Sequence, residues 1–264
     1  MSRSGARQES DPREISVSFD GLARVDGSAR FSFGDTTALA SVSGPIEVRL
    51  AAEQPARATF EVNMRPISNV PATEAKSIAA SVRAALSPSI FLQQYPRTLI
   101  QLMLQALSPA RAKSDDSLLA AMINVGSLAL LNAGSAAMRG VVCAVPVARI
   151  PSGDSTILVV DPDTDELSRA RCTGCFAFLF SAATTDCVWM HWRNASGASL
   201  ENDIPSIREF ARNSAHIILA AIKVCCRNMG SRALMKPLSG VKSGGDVAMG
   251  SGSDTSDSDD EMGA

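Results

Sequence analysis

Cys172-Thr173-Gly174-Cys175 is a CxxC pair, the spacing of a dithiol redox couple or of half a zinc site. A structural zinc site takes four ligands, and neither a second CxxC nor a spaced histidine pair accompanies this one. A redox pair sits ahead of a helix, whereas residues 176–180 read as a strand. Both thiols are therefore expected to be buried cysteines without a chemical task. Cys225-Cys226 falls in a helix with one thiol on its apolar face and gets the same reading. The histidines are His191 and His216; neither accompanies a nucleophile at a turn, and no GxSxG is present. Gly34-Asp35-Thr36-Thr37 is a polar turn that matches neither GxxxxGK[ST] nor GxGxxG. Two groups keep a chemical reading. Asp161, Asp163, Asp165 and Glu166 follow a strand, where carboxylates can hold a metal ion; a solvated turn built on Pro162 is the alternative. Arg97, Arg111 and Lys113 flank another strand, with Arg65 and Arg149 at strand ends, where bases can line a phosphate-binding rim.

These side chains need elements to position them. Alternation predicts strands over 28–33 and 36–42, turned at Gly34-Asp35 and closed by Gly44-Pro45. Phe60, Val62 and Met64 alternate with Glu61, Asn63 and Arg65 as a half-buried strand that ends at Pro66. A helix is predicted over 73–85, with Thr73 as its cap and Pro88 beyond its end. Residues 98–107 are almost wholly apolar, as a central strand would be, although a helical period also fits. A second helix spans 117–133, with Asp115 and Asp116 at its start and Gly134 as C-cap. Leu118, Met122, Val125, Leu128 or Ala129, and Asn132 recur at three and four, and small residues crowd it. Strands follow over 141–150 and 156–160, joined by Pro151-Ser152-Gly153-Asp154, then over 175–181 and 187–192. A long last helix starts near Ile204 and stops at Gly230. Strands and helices in this order make an α+β or α/β layered domain, with helices covering sheet faces.

The chain has 264 residues, enough to bury a core without a disulfide or metal. Its net charge of -2 hides a division. Residues 251–264 hold five acids and no base, which leaves 22 acids against 25 bases in residues 1–250. A mildly basic body is far from the charge of a dedicated DNA-binding domain. The N-terminus has no apolar run that would make a signal peptide, and the apolar stretches are too short for a membrane span. An intracellular soluble protein is expected. Three parts follow: a flexible N-terminus over 1–13, a folded domain over 14–236, and a disordered Gly/Ser/Asp-rich acidic tail over 237–264. In the tail, SDTSDSDDE sets Ser and Thr beside acids, a pattern that a kinase preferring acidic surroundings would modify.

Several of these segments, taken in order, resemble the RNase PH family: GSARFSFGDTTALASVSGP at 27–45, YPRTLIQLMLQ at 95–105, SDDSLLAAMINVGSLALLNAG at 114–134 and ILVVDP at 157–162. The resemblance covers about residues 13–235. It implies the RNase PH-like (ribosomal protein S5 domain 2-like) fold, two βαβα-like halves with mixed sheets and packed helices. It also implies a six-membered ring whose channel takes the RNA 3′ end. In active members a Gly-Thr-Arg stretch before the second helix binds phosphate. Acids after a later strand hold metal or act as acid, and phosphate then releases nucleoside diphosphates from the RNA end.

The sequence departs from that pattern where the chemistry lies. The phosphate-binding arginine should fall near Ser117-Leu118-Leu119, and a leucine cannot donate to phosphate. Asp161, Asp165 and Glu166 survive as a degenerate acidic site, while the next acid, expected near residues 172–174, is absent. Phosphoryl transfer is nearly all positioning and charge compensation, so loss of the anion site should remove it. The expectation is a non-catalytic subunit of the RNA exosome ring, with no cofactor and no metal. It would support 3′–5′ RNA processing and degradation in nucleus, nucleolus and cytoplasm. Its partners would be other RNase PH-like subunits in a hetero-hexameric ring, RNA-binding cap subunits, a separate catalytic exoribonuclease and single-stranded RNA, the last held by Arg65, Arg97, Arg111 and Lys113. The alternatives are an active phosphate-dependent 3′–5′ exoribonuclease, which would need its anion site rebuilt from Arg111 and Lys113, and a free-standing RNA-binding or nuclease homodimer. A small-molecule enzyme on a similar layer should carry a nucleotide loop, and none is visible.

Overall fold

The first 106 residues build one sheet of five strands: β1 (Ile15–Ser18), β2 (Gly27–Phe33), β3 (Thr36–Glu47), β4 (Thr59–Arg65) and β5 (Thr98–Ala106). The computed structural model describes residues 3, 7–19, 21–68, 70, 72–110, 115–152, 155–194 and 203–234, the last six as backbone. Arg111, Lys113, Gly153, Asp154, and the tail with its expected phosphorylation sites lie outside the described residues. The strand order is β1-β2-β3-β5-β4. Every pairing is antiparallel except β4 with β5. A parallel pair needs a crossover, and α1 (Thr73–Leu86) supplies it. Gly34, at φ +51, makes the tight turn between β2 and β3. The apolar run at 98–107 is central: Ile100, Leu102 and Leu104 of β5 are buried between β3 and β4.

The second sheet holds β6 (Val141–Ser152), β7 (Ser155–Val160), β8 (Cys172–Phe180) and β9 (Thr185–Asn194) in the order β7-β6-β8-β9, antiparallel throughout. The element shared by both sheets is α2 (Asp116–Ala133). It packs on β2 and β3 from one sheet and on β6 and β8 from the other. Every residue from Asp116 to Leu130 is buried, so the apolar recurrence seen in the sequence is only part of a helix covered all round. By length and mean hydropathy α2 would pass for a membrane span, but 83% of it is buried inside the protein. Of the two acids expected at its start, Asp115 is the N-cap, and its C-cap is the expected Gly134, in a left-handed conformation.

Two polar residues inside this apolar helix do backbone work. β7 pairs with β6 only over Val147–Ser152, so the first half of β6 has a bare edge. Ser127 Oγ accepts the Val142 N–H at 3.0 Å. Asn124 accepts the Ala144 N–H at 2.6 Å and donates to the Ala144 carbonyl at 3.0 Å. The helix thus substitutes for a missing strand, and the buried backbone groups are satisfied.

The structure differs from the sequence reading at several places. Thr73 is the first helical residue of α1 and not its cap; Ala72 holds that position without a side-chain bond. Two elements are added: β1, and α3 (Thr164–Arg169), which stands where a turn on Pro162 was expected. α4 (Ile204–Leu234) does not stop at Gly230. Its buried stripe is Ile207, Ala211, Ser214, Ala215, Ile218 and Ile222. One compact unit runs through Arg227; a second begins at Asn228, and its described part, to Leu234, is helical.

Candidate functional site

Asp161 follows directly after β7 with φ +46 and is fully buried. Its carboxylate accepts hydrogen bonds on both oxygens. Oδ2 takes Arg13 Nε at 2.7 Å and the Arg13 backbone N–H at 3.0 Å. Oδ1 takes Arg13 Nη2 at 2.8 Å and the Ser117 hydroxyl at 2.9 Å. The Asp161 N–H continues the bare edge of β6 by donating to the Pro146 carbonyl at 2.9 Å. Two residues on, the α3 N-terminus begins a capping box: Asp163 Oδ1 accepts the Glu166 N–H, and Glu166 Oε2 accepts the Asp163 N–H. Glu166 is buried as well, and Arg3 reaches both of its oxygens, Nε at 2.8 Å and Nη2 at 3.2 Å. Arg3 Nη2 also donates to the Val160 carbonyl at 2.7 Å. Arg7 lies between these pairs, with Nη1 3.4 Å from the Asp161 carbonyl oxygen. Burial, then the neighbouring Arg3 charge, lowers the Arg7 pKa.

The N-terminal segment expected to be flexible thus supplies three arginines to the acids that follow β7. Of the predicted acidic group, Asp161 and Glu166 are brought under this arginine strap. Asp165 is not: its side chain is exposed on the first turn of α3. A metal or acid role does not fit Asp161 and Glu166, because guanidinium and backbone donors already occupy their oxygens. Among the described residues, no three His, Cys, Asp or Glu are grouped as metal ligands.

The N-terminus of α2 adjoins this cluster through Ser117. A helix N-terminus binds anions through its free N–H groups. Here the first of them are taken, since Asp115 Oδ1 accepts from Ser117 N at 3.1 Å and Leu118 N at 3.2 Å. Leu118 and Leu119 are buried. Asp116 pairs with Arg193 of β9, which also donates to Thr173 Oγ1. Beside this terminus is a cavity of about 110 Å³ lined by Glu74, Asp115, Asp116, His191, Ser77 and Ser81, among others. Three carboxylates on its walls oppose an incoming phosphate.

Of the bases expected to hold RNA, the two that are described, Arg65 and Arg97, do not converge. Arg65 closes β4, next to Gln105 in the parallel register. Arg97 precedes β5, is 71% exposed and pairs with Glu53 at 3.2 Å. They stand at opposite ends of the sheet, about 25 Å apart at 3.3 Å per residue. Arg149 is inside β6 and pairs with Asp203 at 3.0 Å.

Cys172 and Cys175 both lie in β8 and are buried. Three residues apart in a strand, they point to opposite faces, so they can neither bond to each other nor share an ion. Burial raises both thiol pKa values; for Cys175, Asp116 and Cys187 add to it. His216 packs against the edge of the Phe180 ring, with centroids 4.9 Å apart, and His191 is exposed on β9.

Sequence reasoning missed Arg3, Arg13 and Ser117. The one local signal was Asp163-x-x-Glu166, a helix-start pattern hidden behind Pro162.

Comparison with known proteins gives three kinds of match. Residues 11–136 match RNase PH, described as 3′ exoribonuclease family, domain 1. Over 148 residues the chain is 36% identical to the exosome complex component RRP46 of Saccharomyces cerevisiae, covering 55% of this chain and 65% of that one. Over 167 residues it is 32% identical to the exosome complex component Rrp41 of Pyrobaculum neutrophilum, covering 60% and 64%. The match therefore spans less than two thirds of the length of each of these relatives. A crystal structure of rice (Oryza sativa) Rrp46 superposes with a TM-score of 0.71 at 24% identity, over 82% of this chain and 95% of that one. That likeness concerns the fold.

Proposed function

The chain belongs to the RNase PH family, and from that premise we propose that it is a non-catalytic ring subunit of an RNA exosome. The observation that carries the non-catalytic part is the α2 N-terminus. Where an active family member binds phosphate, this chain has the Asp115 carboxylate on the Ser117 and Leu118 N–H groups. It has buried leucines in place of an arginine, and a cavity walled by acids. Two of the acids after β7, Asp161 and Glu166, are held by Arg13 and Arg3 through both of their carboxylate oxygens.

Its role is then that of a scaffold. It would sit in a hetero-hexameric ring with other RNase PH-like subunits, under RNA-binding cap subunits and beside a separate catalytic exoribonuclease. Single-stranded RNA would pass it through contacts to the backbone alone, with Arg65 as one such contact. Its place of work would be the nucleus, nucleolus and cytoplasm.

The full chain, purified and incubated with inorganic phosphate, magnesium and a 5′-labelled short RNA, is expected to release no nucleoside diphosphates. Release would overturn the non-catalytic reading. Native mass spectrometry of the protein from its own cells is expected to find it in a particle with several different chains of similar size. A free monomer or homodimer there would overturn the ring reading.

A further inference from the structure

β4 is the outer strand of the first sheet. Its register with β5 runs seven residues, from Thr59 to Arg65, without a shift. On its other side it pairs with no strand among the described residues. The opposite edge, β1, is only four residues long. Proteins blunt such edges with prolines, bulges or inward charges. β4 has none of these between Thr59 and Arg65. Glu61, its one acid, is engaged by Asn63 Nδ2 at 2.8 Å. Every second residue of the strand therefore offers an N–H and a C=O to an incoming chain.

A groove of about 560 Å³ runs along this edge. Phe60, Val62 and Met64 line it from the strand, while Ala75, Ala79 and Ala80 line it from α1. The short alanine side chains keep the helix wall low and leave the width of an extended chain. Lys76 and Arg83 stand on the same wall, both exposed, neither with an ion pair among the described residues. They are seven residues apart, about 10 Å along the helix at 1.5 Å per residue. Alternate positions of an added strand recur every 6–7 Å or so, so carboxylates two to four residues apart in the visitor fall within reach of both.

We propose that this groove is a docking site for one extended polypeptide segment of a partner protein. The segment adds to β4 as a further strand; on its groove-facing side, to which every second residue points, an apolar residue over Val62 stands between acidic residues directed toward Lys76 and Arg83. Main-chain bonds supply affinity, and the two cations set the register and the preference for acid. RNA is the less suitable occupant. The groove has no exposed aromatic ring on which a base could stack, and Phe60 is buried. The inference does not depend on the ring reading and can fail while that reading stands.

The test uses the full chain and the fluorescent peptide Thr-Glu-Thr-Val-Thr-Glu-Thr-Val, which carries glutamate and valine in turn on a single face. Saturable binding is expected in fluorescence anisotropy, together with slowed hydrogen exchange of amides within residues 59–65. K76E/R83E, both surface positions, should leave the circular dichroism unchanged and weaken binding roughly tenfold or more. The same peptide with lysine in place of glutamate should not bind. No saturation by about 1 mM would overturn the proposal. So would binding indifferent to the charge reversal, binding without protection of β4, or a ten-nucleotide oligouridine that protects β4 more strongly than the peptide does.

Discussion

Arg13 and Asp161, 148 residues apart in sequence, form a two-point ion pair in the interior, with Nε on Oδ2 at 2.7 Å and Nη2 on Oδ1 at 2.8 Å. Arg13 leads into β1 of the first sheet and also donates to Thr36 Oγ1 on β3. Asp161 follows β7 of the second sheet and accepts from Ser117 of α2. One carboxylate therefore ties both sheets and the helix between them.

Removing one partner leaves the other charge buried. Asp161→Ala and Arg13→Ala are each expected to destabilise the fold by about 3–5 kcal/mol in urea unfolding. The double variant should cost clearly less than the sum of the two. A loss below about 1 kcal/mol for Asp161→Ala would mean that the pair is dispensable.

Asn124→Leu keeps the volume and strands the Ala144 N–H and C=O. At 1–3 kcal/mol for each unsatisfied group, a loss of about 2–5 kcal/mol is expected. Ser127→Ala, which strands only the Val142 N–H, should cost about half as much. Equal, small effects would show that water reaches the edge of β6.

Two glycines touch α2 in different ways. A methyl group on Gly27 would fall on the backbone of Ala133 and 2.6 Å from the Ala129 carbonyl oxygen, where nothing can move aside. One on Gly126 would meet the tips of Leu86 and Leu102, at 2.8 and 3.1 Å. The helix gains about 1 kcal/mol from alanine there, against roughly 1–3 kcal/mol of overpacking. Thermal melts should show Gly27→Ala strongly destabilised and Gly126→Ala close to the parent. The reverse order would contradict the packing of β2 on α2.

How far the sequence led differs by element. The caps of α2 and the central position of β5 were legible, because Asp115, Gly134 and an unbroken apolar run are local signals. The full burial of α2 was not, since periodicity reports one face and cannot count how many layers cover a helix. α3 has six residues and too little apolar content for any period to register. The arginine strap depends on contacts spanning some 150 residues, as for Arg13 with Asp161, which no spacing rule reaches. The same holds for the bases: Arg65 and Arg97 flank neighbouring segments in sequence, yet the parallel pairing of β4 and β5 sends them to opposite ends of the sheet.

Burial raises the thiol pKa values of Cys143 and Cys175, so both stay protonated in the folded protein at a pH where the unfolded chain ionises, above about 8.5. Protons bound by the folded state and lost by the unfolded state make stability fall as pH rises through that value; below it the contribution is complete. Urea midpoints at pH 7 and pH 9.5 should show the decline, and Cys143→Ala should flatten it. Iodoacetamide at neutral pH should leave both residues unmodified in the native protein. Prompt alkylation of either would mean that β6 or β8 opens.

The place of α2 bears on cooperativity. The matched stretch 11–136 ends just after this helix, but its Asn124 and Ser127 bond to β6, which comes later in the chain. Excised alone, that stretch would turn a helix face built for the interior toward water and leave its amide and hydroxyl without the strand they complete. The two halves are a division of sequence and not of folding. The body should lose both sheets in a single two-state transition, with no half surviving the other.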